Sequence, residues 1–254
     1  MKKKVKIYPQ SLNPQKIVPK HSLTAQSSAP PQLTYRGGPL LSKVEIFTVF
    51  WGDYWTTQQA FMQKINNFFG HIVSSSLIDQ LGEYNIPNYT ISSGTFRGSA
   101  IITTPSLPFF IFGHTIVNDS RIQSMIQQNI SSNIFPTGNN ILYAIFLPPG
   151  VTAMLGLSFS CLHFCGYHSN FQNTYYAVMP YPDCRGCTGG LSPFDALTVT
   201  SSHELCEAIT DPIPGTGWYD DANGEIGDIC PWQTKIVDGY TVQTEWSNSA
   251  NACV

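Results

Sequence analysis

The chain has 254 residues, of which 42% are hydrophobic and only 11% are charged, with a net charge of −3. This composition excludes a chain that is disordered through high net charge, and it excludes nucleic-acid binding through bulk positive charge. No apolar run reaches the roughly 18 residues of a membrane span. We therefore expect a globular protein with neither a membrane span nor a nucleic-acid partner.

The N-terminal segment, residues 1–33, is predicted to be a disordered tail, because it is rich in proline and lacks apolar periodicity. Its first lysines resemble the start of a signal peptide, but no apolar stretch follows them. Residues 34–254 are predicted to form one domain. Its predicted elements are, in chain order, a buried strand over 44–51, an amphipathic helix over 56–81 with a break near Gly70, one or two strands over 89–104, a helix over 116–130, strands over 141–147 and 175–180, a helix over 195–209, and a strand or hairpin over 235–246. This order predicts an α/β fold, with α+β as the alternative.

All seven cysteines lie at or after position 161, and four of them form two close pairs in the sequence, Cys161 with Cys165 and Cys184 with Cys187. These four could hold a structural zinc ion or form two crossed disulfides. Their neighbours are apolar and aromatic and carry little charge, which favours disulfides.

The other three cysteines are Cys206, Cys230 and Cys253. A third disulfide between Cys230 and Cys253 would leave Cys206 as a buried free thiol on a helix. Disulfides, together with polarity that comes from Ser, Thr, Asn and Gln rather than from charge, predict a secreted, extracellular protein.

The segment 202–212 carries the strongest chemical signal. His203 and Glu207 are four residues apart, so on a helix they share one face, and Glu204 lies about 100° round the helix beside them. This is the layout of the H-E-x-x-H zinc peptidases with the second histidine replaced by glutamate. It predicts that His203 and Glu207 bind zinc, while Glu204 acts as the general base on the zinc-bound water.

A third zinc ligand is expected downstream. Glu225 and Asp228 lie near the spacing at which thermolysin-type zincins place a glutamate ligand beyond their motif. Either could bind the metal, with Glu225 the first choice, while the other orients His203 through its free ring nitrogen. Tyr219 is a candidate catalytic donor to a developing oxyanion. Asp211, followed by proline, is expected to end the helix.

Two other metal sites compete with this interpretation. The loop over 220–228 is rich in oxygen ligands around Gly224 and could bind Ca²⁺ as a structural ion, although it lacks the spacing of the twelve-residue helix–loop–helix site. His163 and His168, beside the first cysteine pair, are alternative ligands, but histidines in a core or a turn are commoner. Acidic residues on a buried helix favour a cation in any case, because a buried carboxylate is costly without one.

The run H-E-L-x-E-A-x-T-D-P over 203–212, followed by W-Y-D and E-I-G-D-x-C, resembles a group of microbial zincin-like metallopeptidases. The resemblance implies a single zincin-like domain with a mixed sheet, an active-site helix and a disulfide-rich C-terminal part. It also implies zinc-dependent hydrolysis of peptide bonds.

The wider layout of residues 33–254 is similar to the EXORDIUM/phosphate-induced protein family of plants. The matching features are the segment 34–40, the C-x3-C-G-x-H run over 161–168, and the later C-x2-C pair of Cys184 and Cys187. This resemblance implies an extracellular protein with disulfides. Since the plant pattern lacks a clear His-Glu motif, peptidase activity rests on the residues of the 203–207 motif.

The function expected from the sequence is therefore that of a zinc metallopeptidase of the H-E-x-x-E type, acting as a monomer on a peptide or protein substrate. One alternative is a non-catalytic extracellular protein in which the same residues form a structural metal clamp. A second alternative is a calcium-stabilised binding module.

Overall fold

The computed structural model describes residues 30–104, 110–111 and 114–254. Most of the tail predicted over 1–33 therefore lies outside the described residues. At the start of the described chain, Leu33 is buried and its N–H donates to Asn248 Oδ1. Within the described residues, no helix is long and apolar enough to cross a membrane.

Strands and helices are interspersed along the described chain. The strands are β1 (Thr34–Tyr35), β2 (Glu45–Trp51), β3 (Thr95–Ile102), β4 (Phe110–Ile111), β5 (His114–Asn118), β6 (Ile141–Phe146), β7 (Val151–Leu155), β8 (Ser158–Phe159), β9 (Tyr167–Phe171), β10 (Thr174–Met179), β11 (Trp218–Tyr219), β12 (Thr234–Val237), β13 (Tyr240–Gln243), β14 (Trp246–Ser247) and β15 (Ala252–Cys253). The α-helices are α1 (Gln59–Ile72), α2 (Ser76–Gln80), α3 (Asp119–Ser131), α4 (Arg185–Thr188) and α5 (Pro193–Thr210).

A five-stranded mixed sheet forms the centre of the fold, in the order β3-β2-β6-β10-β9. The first four strands are parallel, and β9 pairs antiparallel with β10 at the edge. A second sheet has the strand order β4-β5-β7-β8 and, within the described residues, is not hydrogen-bonded to the central sheet through any of these strands. The mixed α/β content predicted from the sequence is confirmed.

Both faces of the central sheet are buried. Alternate residues of β6 belong to two separate clusters, Leu142 and Ala144 in one, Tyr143 and Ile145 in the other. The first cluster includes residues of α1, α2 and α5, and the second includes residues of α3. This explains the continuous apolar strands of the sequence, because a parallel sheet covered on both faces has no polar side to expose.

Helix α5 is buried along nearly its whole length, with every residue from Ala196 to Thr210 inside. It starts at Pro193, and the side chain of Ser192 caps it by accepting from Asp195 N. The chain turns off at Asp211, whose carboxylate accepts from the backbone N–H groups of the following turn, Gly215, Thr216 and Gly217. The helix therefore has defined ends while its polar residues lie in the interior.

The structure corrects two predicted helices and adds strand β9. The segment 116–118 belongs to β5 rather than to a helix, because Asn118 caps α3 by accepting from Arg121 N. The first helix does not break at Gly70 but ends at Ile72, and Ser75 caps α2 by accepting from Leu77 N. Strand β9 was not predicted at all, since its polar sequence lacks apolar alternation.

The predicted disulfides are confirmed. Two bonds cross-link the close cysteine pairs, Cys161–Cys184 and Cys165–Cys187, and a third joins Cys230 to Cys253. Cys206 is the free, buried thiol on α5. The four cysteines near β9 and α4 therefore have no thiolates to offer a structural zinc ion.

We expect the unfolded, unreduced protein to react with one equivalent of a thiol reagent, from Cys206, and with seven equivalents after reduction. The measurement is mass spectrometry of the alkylated chain before and after reduction. Four additional reactive thiols before reduction, released together with zinc, would contradict the two crossed disulfides.

Candidate metal centre

The motif of α5 presents three side chains to the protein interior. His203, Glu204 and Glu207 have no exposed surface. His203 Nε2 and Glu207 Oε1 lie 3.1 Å apart, as expected for a pair four residues apart on one helix face. The motif thus lies on a buried helix, as the sequence predicted.

The two downstream acids come from the loop after β11. Glu225 is fully buried, whereas Asp228 is partly exposed although its Oδ1 atom is buried. Ligand atoms of His203, Glu207 and Asp228 all lie within 4.8 Å of one another. The carboxylate of Glu225 instead approaches His168. The geometry therefore favours Asp228 over Glu225 as the third ligand beside His203.

His168 enters the same cluster from β9. It is opposite Ala177 in the antiparallel pairing, and Ala177 belongs to the core cluster that contains α5 residues, so His168 faces the helix. His168 Nδ1 lies 3.4 Å from Glu204 Oε2 and 3.5 Å from Glu207 Oε2. His168 Nε2 lies 3.3 Å from Glu225 Oε1.

Two glycines allow this close approach. A Cβ atom at Gly166, just before β9, would overlap Thr200 and come within 2.9 Å of Glu204 Oε1. A Cβ atom at Gly227, between Glu225 and Asp228, would overlap the imidazole ring of His203. Because glycine has no side chain, the edge strand β9 and the loop can lie directly against α5.

The orientation of His203 is fixed by a side chain of β13. The side-chain amide of Gln243 lies 2.7 Å from His203 Nδ1 and donates to the carbonyl oxygen of Gly227 at 2.9 Å. The backbone N–H of Gln243 donates to Ser202 Oγ at 2.9 Å. These contacts hold the ring so that Nε2 points towards Glu207.

Many polar atoms of this cluster have no hydrogen-bond partner within the described residues. They are His203 Nε2, Glu204 Oε1, both oxygens of Glu207, Glu225 and Glu245, and Asp228 Oδ1. An unsatisfied buried polar group costs about 1–3 kcal/mol, and more when it is charged. Summed over the cluster, this is on the order of the whole stability of a domain, about 5–15 kcal/mol. The donor set, imidazole nitrogen and carboxylate oxygen, is one that zinc accepts.

Ligand spacing fits the same interpretation. Zinc binds nitrogen at about 2.0–2.1 Å and oxygen at about 2.0–2.2 Å, so two ligand atoms in tetrahedral geometry are about 3.3–3.5 Å apart. The nitrogen–oxygen distances between the histidines and the carboxylates of Glu204 and Glu207 are 3.1–3.5 Å. The side chains are thus spaced as ligands around a cation would be.

The pKa values follow burial and charge. Burial raises the pKa of Glu204, and it raises the pKa of Glu225 well above its usual range. Burial also opposes ionisation of Glu207, but His203 and His168 outweigh it and lower the pKa of Glu207 to about 2. For the two histidines, burial disfavours the charged form, yet the carboxylates raise both pKa values well above the usual range, Glu225 foremost for His168 and Glu207 foremost for His203. Without a metal ion, the two imidazolium groups supply positive charge to this cluster.

Tyr219, the predicted oxyanion donor, is half-buried at the edge of the cluster. Burial raises its pKa to about 12, helped by the negative charge of Glu225 and Asp228. The guanidinium of Arg36 lies 4.5 Å from the centre of its ring. The phenol is therefore a neutral donor at neutral pH.

Asp220 and Asp221, at the start of the predicted calcium loop, bind other groups of the protein. Asp220 accepts from Gln32 N through Oδ2, and through Oδ1 from Ala222 N and from Asn223 N and Nδ2. Asp221 is exposed and pairs with Arg36 at 2.6 Å. These carboxylates do not converge with Glu225 and Asp228.

Sequence reasoning missed part of the cluster. The sequence offers His168 only as an alternative ligand, because its position depends on the unpredicted strand β9. Gln243 was missed because it contacts α5 only through the folding of the β12–β13 hairpin. Glu245 is buried against Cys206, and its charge acts on His203 and Glu207. His163, the other alternative, stays in the turn before β9, where its Nδ1 accepts from Phe159 N.

Comparisons with protein-family models, with curated proteins and with solved structures found no match to this chain.

We expect Gly227→Ala to weaken zinc binding by at least about 10-fold, because the new methyl group displaces the His203 ring and disturbed outer contacts cost about 10–100-fold in metal affinity. A competition titration against a chromophoric chelator measures the affinity. Gly70→Ala is the matched control, since a Cβ at Gly70 has nothing within 4 Å. Equal affinity in both variants would show that His203 is not a ligand.

Proposed function

We propose that the chain is a zinc-dependent metallopeptidase of the H-E-x-x-E type. In this proposal His203, Glu207 and Asp228 hold the zinc ion. The observation that carries it is the convergence of unpaired, buried carboxylate oxygens on one imidazole nitrogen, His203 Nε2. A metal cation compensates such a set, and the ligand types fit zinc.

The bound zinc ion would supply Lewis acidity, polarising a peptide carbonyl and lowering the pKa of water. Glu204 is the general base, because its Oε1 atom has no hydrogen-bond partner in the described residues and lies beside the ligands. It takes a proton from the attacking water and returns it to the leaving amine. Tyr219, half-buried at the edge of the cluster, donates a hydrogen bond from its hydroxyl group to the oxyanion.

The wider setting supports the same proposal. A mixed sheet with a buried motif helix agrees with the zincin-like domain implied by the resemblance. Three disulfides are typical of an oxidising compartment, which supports secretion. We infer that the substrate is an extracellular peptide or protein and that the enzyme acts as a monomer.

The deciding variant is Glu204→Gln. It keeps the shape of the side chain but removes the base, so we expect hydrolysis to fall by about 10²–10⁴-fold while zinc remains bound. Peptide cleavage is followed by mass spectrometry on a peptide library, and zinc by elemental analysis. Glu45→Gln is the control, because Glu45 pairs with Arg97 on the sheet, away from the motif. Full activity of Glu204→Gln would exclude this mechanism.

A structural metal clamp is the second candidate, and the burial of the cluster favours it. His203, Glu204, Glu207 and Glu225 have no exposed surface. A groove of about 680 Å³ opens elsewhere, between the segments 35–39 and 86–89, and none of the cluster residues lines it.

The clamp predicts zinc at near-stoichiometric level, loss of zinc in His203→Ala, no cleavage of any library peptide, and a melting temperature that falls on chelation. Peptide cleavage that chelation abolishes and zinc restores would favour the peptidase instead. Destabilisation by a calcium-selective chelator alone would favour the calcium-stabilised module.

A further inference from the structure

His168 has the contacts of a metal ligand in its own right. Its Nε2 atom lies 3.1 Å from the backbone carbonyl oxygen of Asp211, which can only accept a hydrogen bond. Nε2 therefore carries a proton. Metal-ligating histidines usually donate their second N–H to a carbonyl or carboxylate in this manner.

The other nitrogen of His168 faces two carboxylates. Nδ1 lies 3.4 Å from Glu204 Oε2 and 3.5 Å from Glu207 Oε2, and all three side chains are buried. In a neutral ring, the Nδ1 lone pair and the carboxylate lone pairs repel one another unless a proton or a metal ion lies between them. The ligand atoms of these three residues lie within 4.8 Å of one another.

Glu207 faces both histidines, one with each oxygen. Its Oε1 atom lies 3.1 Å from His203 Nε2, and its Oε2 atom lies 3.5 Å from His168 Nδ1. The two groups of potential ligands, one around His203 and one around His168, therefore share a single carboxylate. Carboxylates in two-metal enzyme sites lie between ions about 3.5–4 Å apart.

With all its acids ionised, the cluster would carry more negative charge than one divalent ion can neutralise. Five acids are gathered around the two histidines, namely Glu204, Glu207, Glu225, Asp228 and Glu245. One divalent cation balances two carboxylates, and two divalent cations balance four. The second ion therefore has a physical reason to bind, because buried charge is costly when it is not compensated.

We propose that a second divalent cation binds to His168, Glu204 and Glu207, with Glu207 bridging it to the first. The proposal rests on the zinc site proposed above at His203, Glu207 and Asp228. One nitrogen and two carboxylate oxygens suit zinc and neighbouring divalent transition metals. Because Glu204 becomes a ligand, it no longer accepts a proton, so filling the second position inhibits hydrolysis.

The test is a calorimetric titration of the metal-free full chain with Zn²⁺, checked by elemental analysis after gel filtration. We expect two equivalents to bind the wild type. We expect His168→Gln to bind only one, its second-equivalent affinity falling by at least about 100-fold, since outer contacts alone are worth about 10–100-fold. Glutamine can still donate to the Asp211 carbonyl, which guards the fold, and circular dichroism checks it. His71→Gln is the control, because His71 is exposed at the end of α1.

The outcomes separate this proposal from the first. If the wild type binds one equivalent of zinc and His168→Gln also binds one, the second site is overturned and the first is left intact. A proton would then lie between His168 Nδ1 and the two carboxylates. Two equivalents in both proteins would also overturn it. No zinc in either would overturn the first site, and the second with it. Turnover that rises with the first equivalent and falls with the second in the wild type alone would support both.

Discussion

The need to balance buried negative charge organises this part of the molecule. Helix α5 carries its histidine and two glutamates in the interior, where a lone carboxylate costs several kcal/mol. Three segments bring polar side chains to the motif: β9 brings His168, the loop after β11 brings Glu225 and Asp228, and β13 brings Gln243. A bound metal ion would turn this set from a destabilising feature into a cross-link among α5, the loop after β11 and, through His168, β9.

The disulfides hold these segments in place. Cys165, which lies just before β9, bonds to Cys187 of α4. The strand that carries His168 is therefore tied to the short helix that precedes α5. Cys230 follows Asp228 closely, and its bond to Cys253 encloses the hairpin that carries Gln243 and the segment with Glu245. Both links restrict the unfolded chain, and the first brings β9 near the start of α5.

The burial of the cluster affects whether a bound metal ion could be catalytic or only structural. A fully enclosed ion would be a clamp, whereas hydrolysis needs a side that a peptide can reach. Asp228 and Tyr219 are the partly exposed members of the set, so any approach of substrate would come from their side. Glu204, whose carboxylate lies 3.4 Å from His168 Nδ1, is where the two uses meet, because it can be a base or a ligand but cannot be both at once.

Much of this protein could be predicted from its sequence. The motif of His203, Glu204 and Glu207 is local, because helix periodicity alone sets which side chains share a face. The buried parallel strands follow from their apolar runs, and the disulfides follow from cysteine spacing in a charge-poor setting. The tertiary structure decided the features that depend on strand register and on long-range contact. His168 faces the helix only because β9 pairs with β10. Asp228 rather than Glu225 reaches His203 only because Gly227 packs against the imidazole ring. These positions depend on pairing and close packing between segments far apart in the chain, which local sequence patterns do not encode.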